Sequence, residues 1–259
     1  MKKFMIFSYG VGSYLLFFLA FLYSIGFIGN LLVPKSIDSP ASLPFGQALM
    51  IDLGLLALFA IQHSGMARPA FKRWLTQYLP REAERSTYVL MSTIALIAIM
   101  VFWQPLGGMV WQVSSEPAAT VLLALYLASW LLLLYATFLI NHFDLFGLRQ
   151  VWNALRNQET PSLGFVTPAL YRIVRHPIYV GWLGIFWFTP TMTITHLFFA
   201  VVTSVYTIIG MKLEERDLVK ELPEYQQYMR KVPALIPSPK RHLKKDSAIS
   251  TVGWMDGVV

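Results

Sequence analysis

The chain has 259 residues, 56% of them hydrophobic and only 14% charged, with no cysteine and a formal net charge of +7; its mean hydropathy is +0.53. Soluble domains carry about 25% charged residues, so this sequence cannot cover a water-facing surface, and the lack of cysteine excludes disulfide frameworks and thiolate metal sites. The positive charge gathers in a few connecting segments, which points to membrane topology and away from nucleic acid.

A membrane-spanning helix needs about 20 apolar residues. Lys2 and Lys3 precede an uncharged run, Phe4 to Pro34, that is too long for a signal-peptide core and long enough to span. Spans are predicted at Ser8–Leu32, Leu43–Gln62, Ser86–Trp103 and Ala118–Ile140. The charge-free stretch Ile178–Met211 is too long for one helix. Pro190 and the run "TPTMTITH" (Thr189 to His196) divide it, because proline removes a helical donor and clashes with the preceding turn. It reads as a helical hairpin with a short first arm and a longer second one. The fold class is therefore an all-α integral membrane protein of about six membrane segments, four spans plus a hairpin.

The connections alternate in charge. Arg68, Lys72, Arg73, Arg81 and Arg85 follow the second segment, while Gln104–Pro117 holds Glu116 and no Lys or Arg. Arg149, Arg156, Arg172 and Arg175 follow the fourth, and the C-terminal region is basic throughout. By the positive-inside rule both termini are cytoplasmic.

In "GLRQVWNAL", Leu148, Val151, Trp152 and Leu155 fall at i, i+3, i+4 and i+7, one apolar face of a helix lying in the interface. Thr167-Pro168 offers an N-cap and a proline at the first helical position, so a short helix "PALYRIVR" is predicted before His176-Pro177. "LEERDLVKELPEYQQYMRKV" reads as a cytoplasmic helix broken at Pro223, and the tail after Pro237 as flexible.

Ionisable groups in apolar segments are costly and point to function by default. Asp52 lies inside the second segment, and His63 follows on the same helical face roughly 16 Å away. Asp52 reads either as a functional acid or as one neutralised or bonded to a neighbouring helix. His63 reads as a functional group or as the marker of the cytoplasmic exit. In "NHFDLFG", His142 and Asp144 flank Phe143 where a span ends. A carboxylate beside a histidine raises its basicity, which suits a general base; polar residues that merely end a span look the same. His196 falls in the hairpin turn and reads as non-functional. The two hairpin arms have similar rise, so Arg175-His176 and Glu214-Glu215 come to the same depth side by side. That cluster is either a structural ion-pair group or a site for a zwitterionic ligand.

At this point the residues resemble known proteins. "RHPIYVGW" followed by "EERDLVKELPEYQQYMRKVP" resembles the isoprenylcysteine carboxyl methyltransferase family of integral membrane enzymes. In that family the Arg-His-Pro-x-Tyr-x-Gly motif, the Glu-Glu pair and the Tyr-x-x-Tyr tail build a cytoplasm-facing S-adenosylmethionine pocket. The matching residues are Arg175, His176, Pro177, Tyr179 and Gly181, then Glu214 and Glu215, then Tyr225 and Tyr228. "FAIQHSGMARPAFKRW" and "AERSTYVLMSTIAL" resemble the NnrU-type membrane proteins. With "NHFDLFGLRQVW" added, the chain from about residue 8 to residue 239 is similar to the bacterial methanethiol S-methyltransferases. The last 20 residues match nothing.

The resemblance implies an S-adenosylmethionine-dependent transferase of the bacterial inner membrane, converting methanethiol to dimethyl sulfide with its site facing the cytoplasm. It implies an NnrU-like four-span bundle over 1–143, a methyltransferase region over 144–239 and a basic tail over 240–259. His176 and Tyr179 would contact the adenosine, with Tyr171 and Pro177 beside them. Glu214 and Glu215 would bond the ribose or amino group, and Arg175 the carboxylate. The thiolate is the nucleophile in such chemistry, so His142, oriented by Asp144, is the candidate base and His63 the runner-up; the charge of the donor alone is the alternative. Methanethiol is small and apolar, so its selection would rest on pocket size and closure. No metal, nucleic acid or obligate protein partner is implied beyond the lipid bilayer. Two other readings stay open: a methyltransferase of this architecture acting on a larger lipidic or carboxylate substrate, and a non-enzymatic NnrU-like protein.

Overall fold

The computed structural model describes residues 2–161 and 163–238, so the expected flexible tail over 240–259 lies outside the described residues. The elements run α1 (Lys2–Gly29), α2 (Phe45–Met66), α3 (Pro69–Leu75), α4 (Arg81–Phe102), β1 (Met109–Gln112), α5 (Glu116–Ile140), α6 (His142–Leu145) and α7 (Leu148–Leu155). A 3-10 turn at Ala169–Arg172 precedes α8 (Pro177–Trp187), β2 (Thr191–Thr193), α9 (Ile194–Glu221) and α10 (Pro223–Lys231). Five of these helices, α1, α2, α4, α5 and α9, are long and apolar enough to cross a membrane. Leu19, Ile61 and Leu131 point outward and are largely exposed, as expected of helices apolar on every side.

The hairpin forms as the sequence implies. Its first arm, α8, has 11 residues, about 16 Å of rise against a hydrocarbon core of about 30 Å. Lipid tails are as apolar as leucine, so close backbone packing has to hold such a short helix. Glycine permits this: a Cβ on Gly184 would stand 2.2 Å from Ser129 Oγ, and one on Gly181 would stand 2.9 Å from Leu133 Cβ. Helix α8 therefore lies directly against α5. Trp187 Nε1 adds a hydrogen bond to Ser204 Oγ of α9 at 2.9 Å.

The end of the bundle opposite α10 holds structure that periodicity does not reveal. The run expected as a bare hairpin turn contains β2, which pairs antiparallel with β1 in the Gln104–Pro117 connection. His196 is not in a turn: it sits in the first turn of α9, 1% exposed. Its Nε2 donates to the Phe186 carbonyl at 3.0 Å, satisfying one of the carbonyls left over where α8 ends. Its Nδ1 stands 3.8 Å from Asp38 Oδ2. Asn30 donates to the same carboxylate at 2.8 Å, and the Thr193 hydroxyl donates to its other oxygen. Burial pushes the Asp38 carboxyl up, but the nearby His196 ring and the hydrogen bonds from Thr193 and Asn30 outweigh it and hold its pKa below the ordinary value.

Asp52 also belongs to this end. It is fully buried, and its Oδ1 accepts from the Gln104 backbone N–H at 2.8 Å, just past the end of α4. This is the bonded, structural alternative, and Asp52 lies away from the site described below.

Candidate active site

The chain approaches the site through the 3-10 turn, where a regular helix was expected. Two facts explain the difference. Arg175 N and His176 N donate to the carbonyls of Pro233 and Ala234, at 2.9 and 3.1 Å, drawing this stretch against the segment after α10. In addition, the residue before a proline is disfavoured in the helical region, and His176 has φ −125° and ψ 64°. Helix α8 then starts at Pro177, a position that needs no donor.

The two hairpin arms bring the cationic and acidic pairs together as the arithmetic of rise predicts. Arg175 Nε and Nη2 reach Glu215 Oε1 at 2.8 and 2.7 Å, and His176 Nε2 reaches the same oxygen at 2.8 Å. Arg175 Nη1 donates to the Met229 carbonyl at 3.1 Å and to that of Val232. Each guanidinium nitrogen is therefore bonded inside the protein, and the group anchors α10 across α9. Glu215, 9% exposed, sits behind the Arg175–His176 wall and is not a lining residue of the cavity. Pro177 is likewise behind the wall.

Glu214 takes the other course. It lines the cavity, and its Oε2 accepts from the Tyr179 hydroxyl at 2.6 Å. The His176 and Tyr179 rings stack at 5.1 Å with 14° between planes, leaving a flat aromatic step beside a carboxylate. Tyr171, Tyr225 and Tyr228 complete this wall. Burial raises all three phenol pKa values, helped at Tyr171 by Glu214 and at Tyr225 by Glu215 and Glu214. They face the site as neutral hydroxyls. Tyr228 donates to the Tyr171 carbonyl, which ties α10 to the 3-10 turn.

This wall opens on a cavity of about 1770 Å³ whose lining also includes His63, His142 and Asp144. The structure thus brings together all the candidate residues except Pro177 and Glu215, which support the wall from behind. It does not pair His142 with Asp144. Both His142 ring nitrogens are engaged elsewhere: Nδ1 with Thr137 Oγ1 and Nε2 with the Tyr14 hydroxyl, each at 2.8 Å. Asp144 instead accepts from Arg149 at 2.8 Å and from Gln150. The expectation that Asp144 makes His142 more basic is corrected on this point: burial lowers the His142 pKa below its ordinary value.

The same bonds fix the tautomer. The Thr137 hydroxyl donates to the Leu134 carbonyl at 2.7 Å, so Thr137 accepts from His142 Nδ1–H. The Nε2 lone pair then accepts from Tyr14. Around this ring stand Phe138, stacked at 4.2 Å and 5°, and Phe146 at 4.7 Å. On the same cavity His63 meets the Tyr88 hydroxyl at 3.0 and 3.1 Å and Ser92 Oγ at 3.2 Å. Tyr14, Tyr88 and Ser92 were not singled out in the sequence. They lie in apolar helices with nothing but their hydroxyls to distinguish them from core residues.

Comparisons with known proteins show the family. The NnrU protein family matches residues 51–210. The methanethiol S-methyltransferase of Crocosphaera subtropica is 49% identical over 230 residues, covering 88% of this chain and 90% of the relative. Methanethiol S-methyltransferase 1 of Bradyrhizobium diazoefficiens is 47% identical over 236 residues, 91% and 83% of the two chains. The methanethiol S-methyltransferase of Mycobacterium tuberculosis is 44% identical over 243 residues, 93% of this chain and 100% of its own length. The chain belongs to the NnrU and methanethiol S-methyltransferase family. No solved structure matches it. As a member of a methyltransferase family of the membrane, it is an integral membrane transferase that takes its methyl group from a donor.

Proposed function

We propose that the chain transfers a methyl group from S-adenosylmethionine to methanethiol, giving dimethyl sulfide. The observation that carries this reading is the single cavity that unites the His176–Tyr179–Glu214 wall with His142 and His63. Relatives at 44–49% identity over most of the chain bear the name of that activity, which leaves little room for the non-enzymatic alternative. Lys3 of α1, the basic connections after α2 and α5, and α10 all stand at the cavity's end of the bundle. By the positive-inside rule that end faces the cytoplasm, where the donor is made.

The wall fits this donor. Tyr179 and His176 offer a flat face for a purine, and the Glu214 carboxylate suits ribose hydroxyls or an ammonium group. The neutral phenols of Tyr171, Tyr225 and Tyr228 complete a polar rim. Glu215 acts from behind as a positioning residue: it pairs with Arg175 of the wall and holds His176 in place. When bound, S-adenosylmethionine supplies an electrophilic methyl group on a sulfonium sulfur.

The remaining task of the protein is to let a thiol lose its proton. A simple thiol has a pKa above neutrality; free Cys, at about 8.5, is a lower guide. His142 is suited to receive that proton because it stays neutral at neutral pH, with its Nε2 lone pair fixed by Thr137 on the other nitrogen. The Tyr14 hydroxyl that shares Nε2 is the natural relay. A second reading assigns the proton to His63, on the strength of its place on the cavity wall beside Tyr88 and Ser92. In either case the aromatic rings around His142 favour a reaction in which opposite charges cancel.

The test is purified protein with S-adenosylmethionine and methanethiol, read by dimethyl sulfide in the headspace. Product well above a boiled control is expected. Its absence, in protein shown to bind S-adenosylhomocysteine, overturns the substrate assignment.

A further inference from the structure

Methanethiol has two heavy atoms, and the cavity is far larger than it requires. Ligand pockets commonly run from about 300 to 1000 Å³. The 1770 Å³ includes a charged mouth at Lys2, Lys72, Arg81 and Glu82 as well as room for the donor, and what bears on the acceptor is the part that reaches into the bundle. For scale, an apolar cavity of about 150 Å³ already holds benzene. The cavity as it stands is much larger than methanethiol.

The surplus has a direction. On α4 the lining runs from Arg81 at the mouth to Leu96, about 22 Å of rise. On α1 it runs from Phe17 to Ser24, and on α5 from Thr137 back to Trp130, each about 10 Å. An arm therefore descends from the level of His142 into the bundle. Its wall is a connected series of rings: Phe146 stacks on Phe17 at 4.1 Å, Phe17 meets Phe21 at 6.1 Å, Phe21 meets Trp130 at 5.0 Å, and Trp130 meets Trp182 at 5.7 Å. The Ser24 hydroxyl at the deep end donates to its own helix, to the Ala20 carbonyl at 2.8 Å, and so offers no hydrogen to a ligand. The arm is shaped for apolar substance of some length and carries no charged group at its floor to hold a carboxylate.

We infer that the enzyme also S-methylates longer unbranched alkanethiols, with the thiol at the level of His142 and the alkyl chain in the Phe21–Trp130–Leu96 arm. This rests on the methyl-transfer reading above. The acceptor sulfur forms a bond to the methyl carbon as the bond from that carbon to the donor sulfur breaks. The electron pair stays on the donor sulfur, the thiol proton leaves to the protein or to water, and the product is an alkyl methyl sulfide.

Burying one methylene stabilises by about 0.8 kcal/mol, and tenfold corresponds to about 1.4 kcal/mol, so each added carbon should raise kcat/KM about fourfold until the arm is filled. The experiment compares methanethiol, ethanethiol, propanethiol and butanethiol on the full chain in detergent, at saturating S-adenosylmethionine, by gas chromatography of the methyl sulfides. A rise through butanethiol supports the arm. Methanethiol turnover with a flat or falling series overturns it and leaves the proposed function standing. No turnover of any thiol overturns the proposed function instead. The arm is then read separately, by titrating the protein alone with butyl methyl sulfide and following the fluorescence of Trp130 and Trp182; no change there overturns the inference. Leu96→Trp and Ser24→Phe should each cut the butanethiol-to-methanethiol ratio at least tenfold. An unchanged ratio in either variant that folds also overturns it.

Discussion

Two His–carboxylate pairs stand at opposite ends of the bundle and have opposite fates. At the α10 end His176 and Glu215 meet at 2.8 Å, tied to Arg175, with the neighbouring Tyr179–Glu214 bond facing a large cavity. At the other end His196 and Asp38 stand 3.8 Å apart under a two-stranded sheet, with His196 capping the last carbonyls of α8. Both pair a histidine with a carboxylate. What differs is the volume each end borders, about 1770 Å³ at the near cluster against about 370 Å³ beside Asp38, and the polar groups turned toward it. The far pair is held by Asn30, Thr193 and the Phe186 carbonyl, whereas the near cluster spends Glu215 and leaves Glu214 and the Tyr225 phenol on the cavity.

Substitutions can break this contrast. The largest effect is expected for Glu215→Ala, which strands a buried guanidinium; breaking a buried pair costs about 3–5 kcal/mol. S-Adenosylhomocysteine affinity and thermal stability should both collapse, whereas Glu214→Gln should lower affinity about tenfold with little change in stability. Equal behaviour of the two variants would erase the distinction between the supporting and the facing carboxylate.

His142→Ala comes next, with turnover down about 10²–10³-fold, in the range of general acid–base contributions, and donor affinity within about twofold. A rate near wild type moves the proton to His63 or removes the base altogether. The pH dependence has a definite sign. Burial lowers the pKa of His142 in the folded protein, so the neutral form persists through neutrality and activity falls only on acidification below the ordinary imidazole range. In that acidic window the unfolded chain binds the extra proton, so this residue makes stability fall as pH falls.

A smaller effect, and only on stability, is expected at the far end. Asp38→Asn should lower the unfolding temperature by a few degrees and leave turnover within about twofold. The folded Asp38 pKa is depressed, so its contribution is present above the unfolded pKa and lost as pH falls through the folded one. The variant should lose that acid sensitivity. The smallest effect is expected for Asp144→Asn, about twofold or less on turnover, because its partner is Arg149. A loss of 100-fold would return Asp144 to the catalytic group.

The spans, the hairpin break near Pro190, the amphipathic α7 and the stop at Pro223 were legible because each rests on local chemistry: hydropathy, periodicity or the missing proline donor. The pairing of Arg175-His176 with Glu214-Glu215 was legible too, since two antiparallel helices of similar rise must align their ends. The division of labour between the two glutamates was not, because it depends on which way each side chain leaves α9. Nor was the Tyr14–His142–Thr137 chain, whose members lie on α1, α6 and α5 and share no sequence spacing.

The sequence by itself therefore determined a helical membrane protein, the depth of its charged motif and the family it resembles, since these follow from short-range pattern. Only the tertiary structure decided that Arg175 is bound to Glu215 and the Met229 and Val232 carbonyls, that Asp144 leaves His142, that the far turn is a small sheet, and that the cavity extends well below the level of His142. Each of these depends on which side chains from distant segments meet first. In lipid that is settled by close packing, such as α8 against α5 at Gly184, more than by any propensity of the chain.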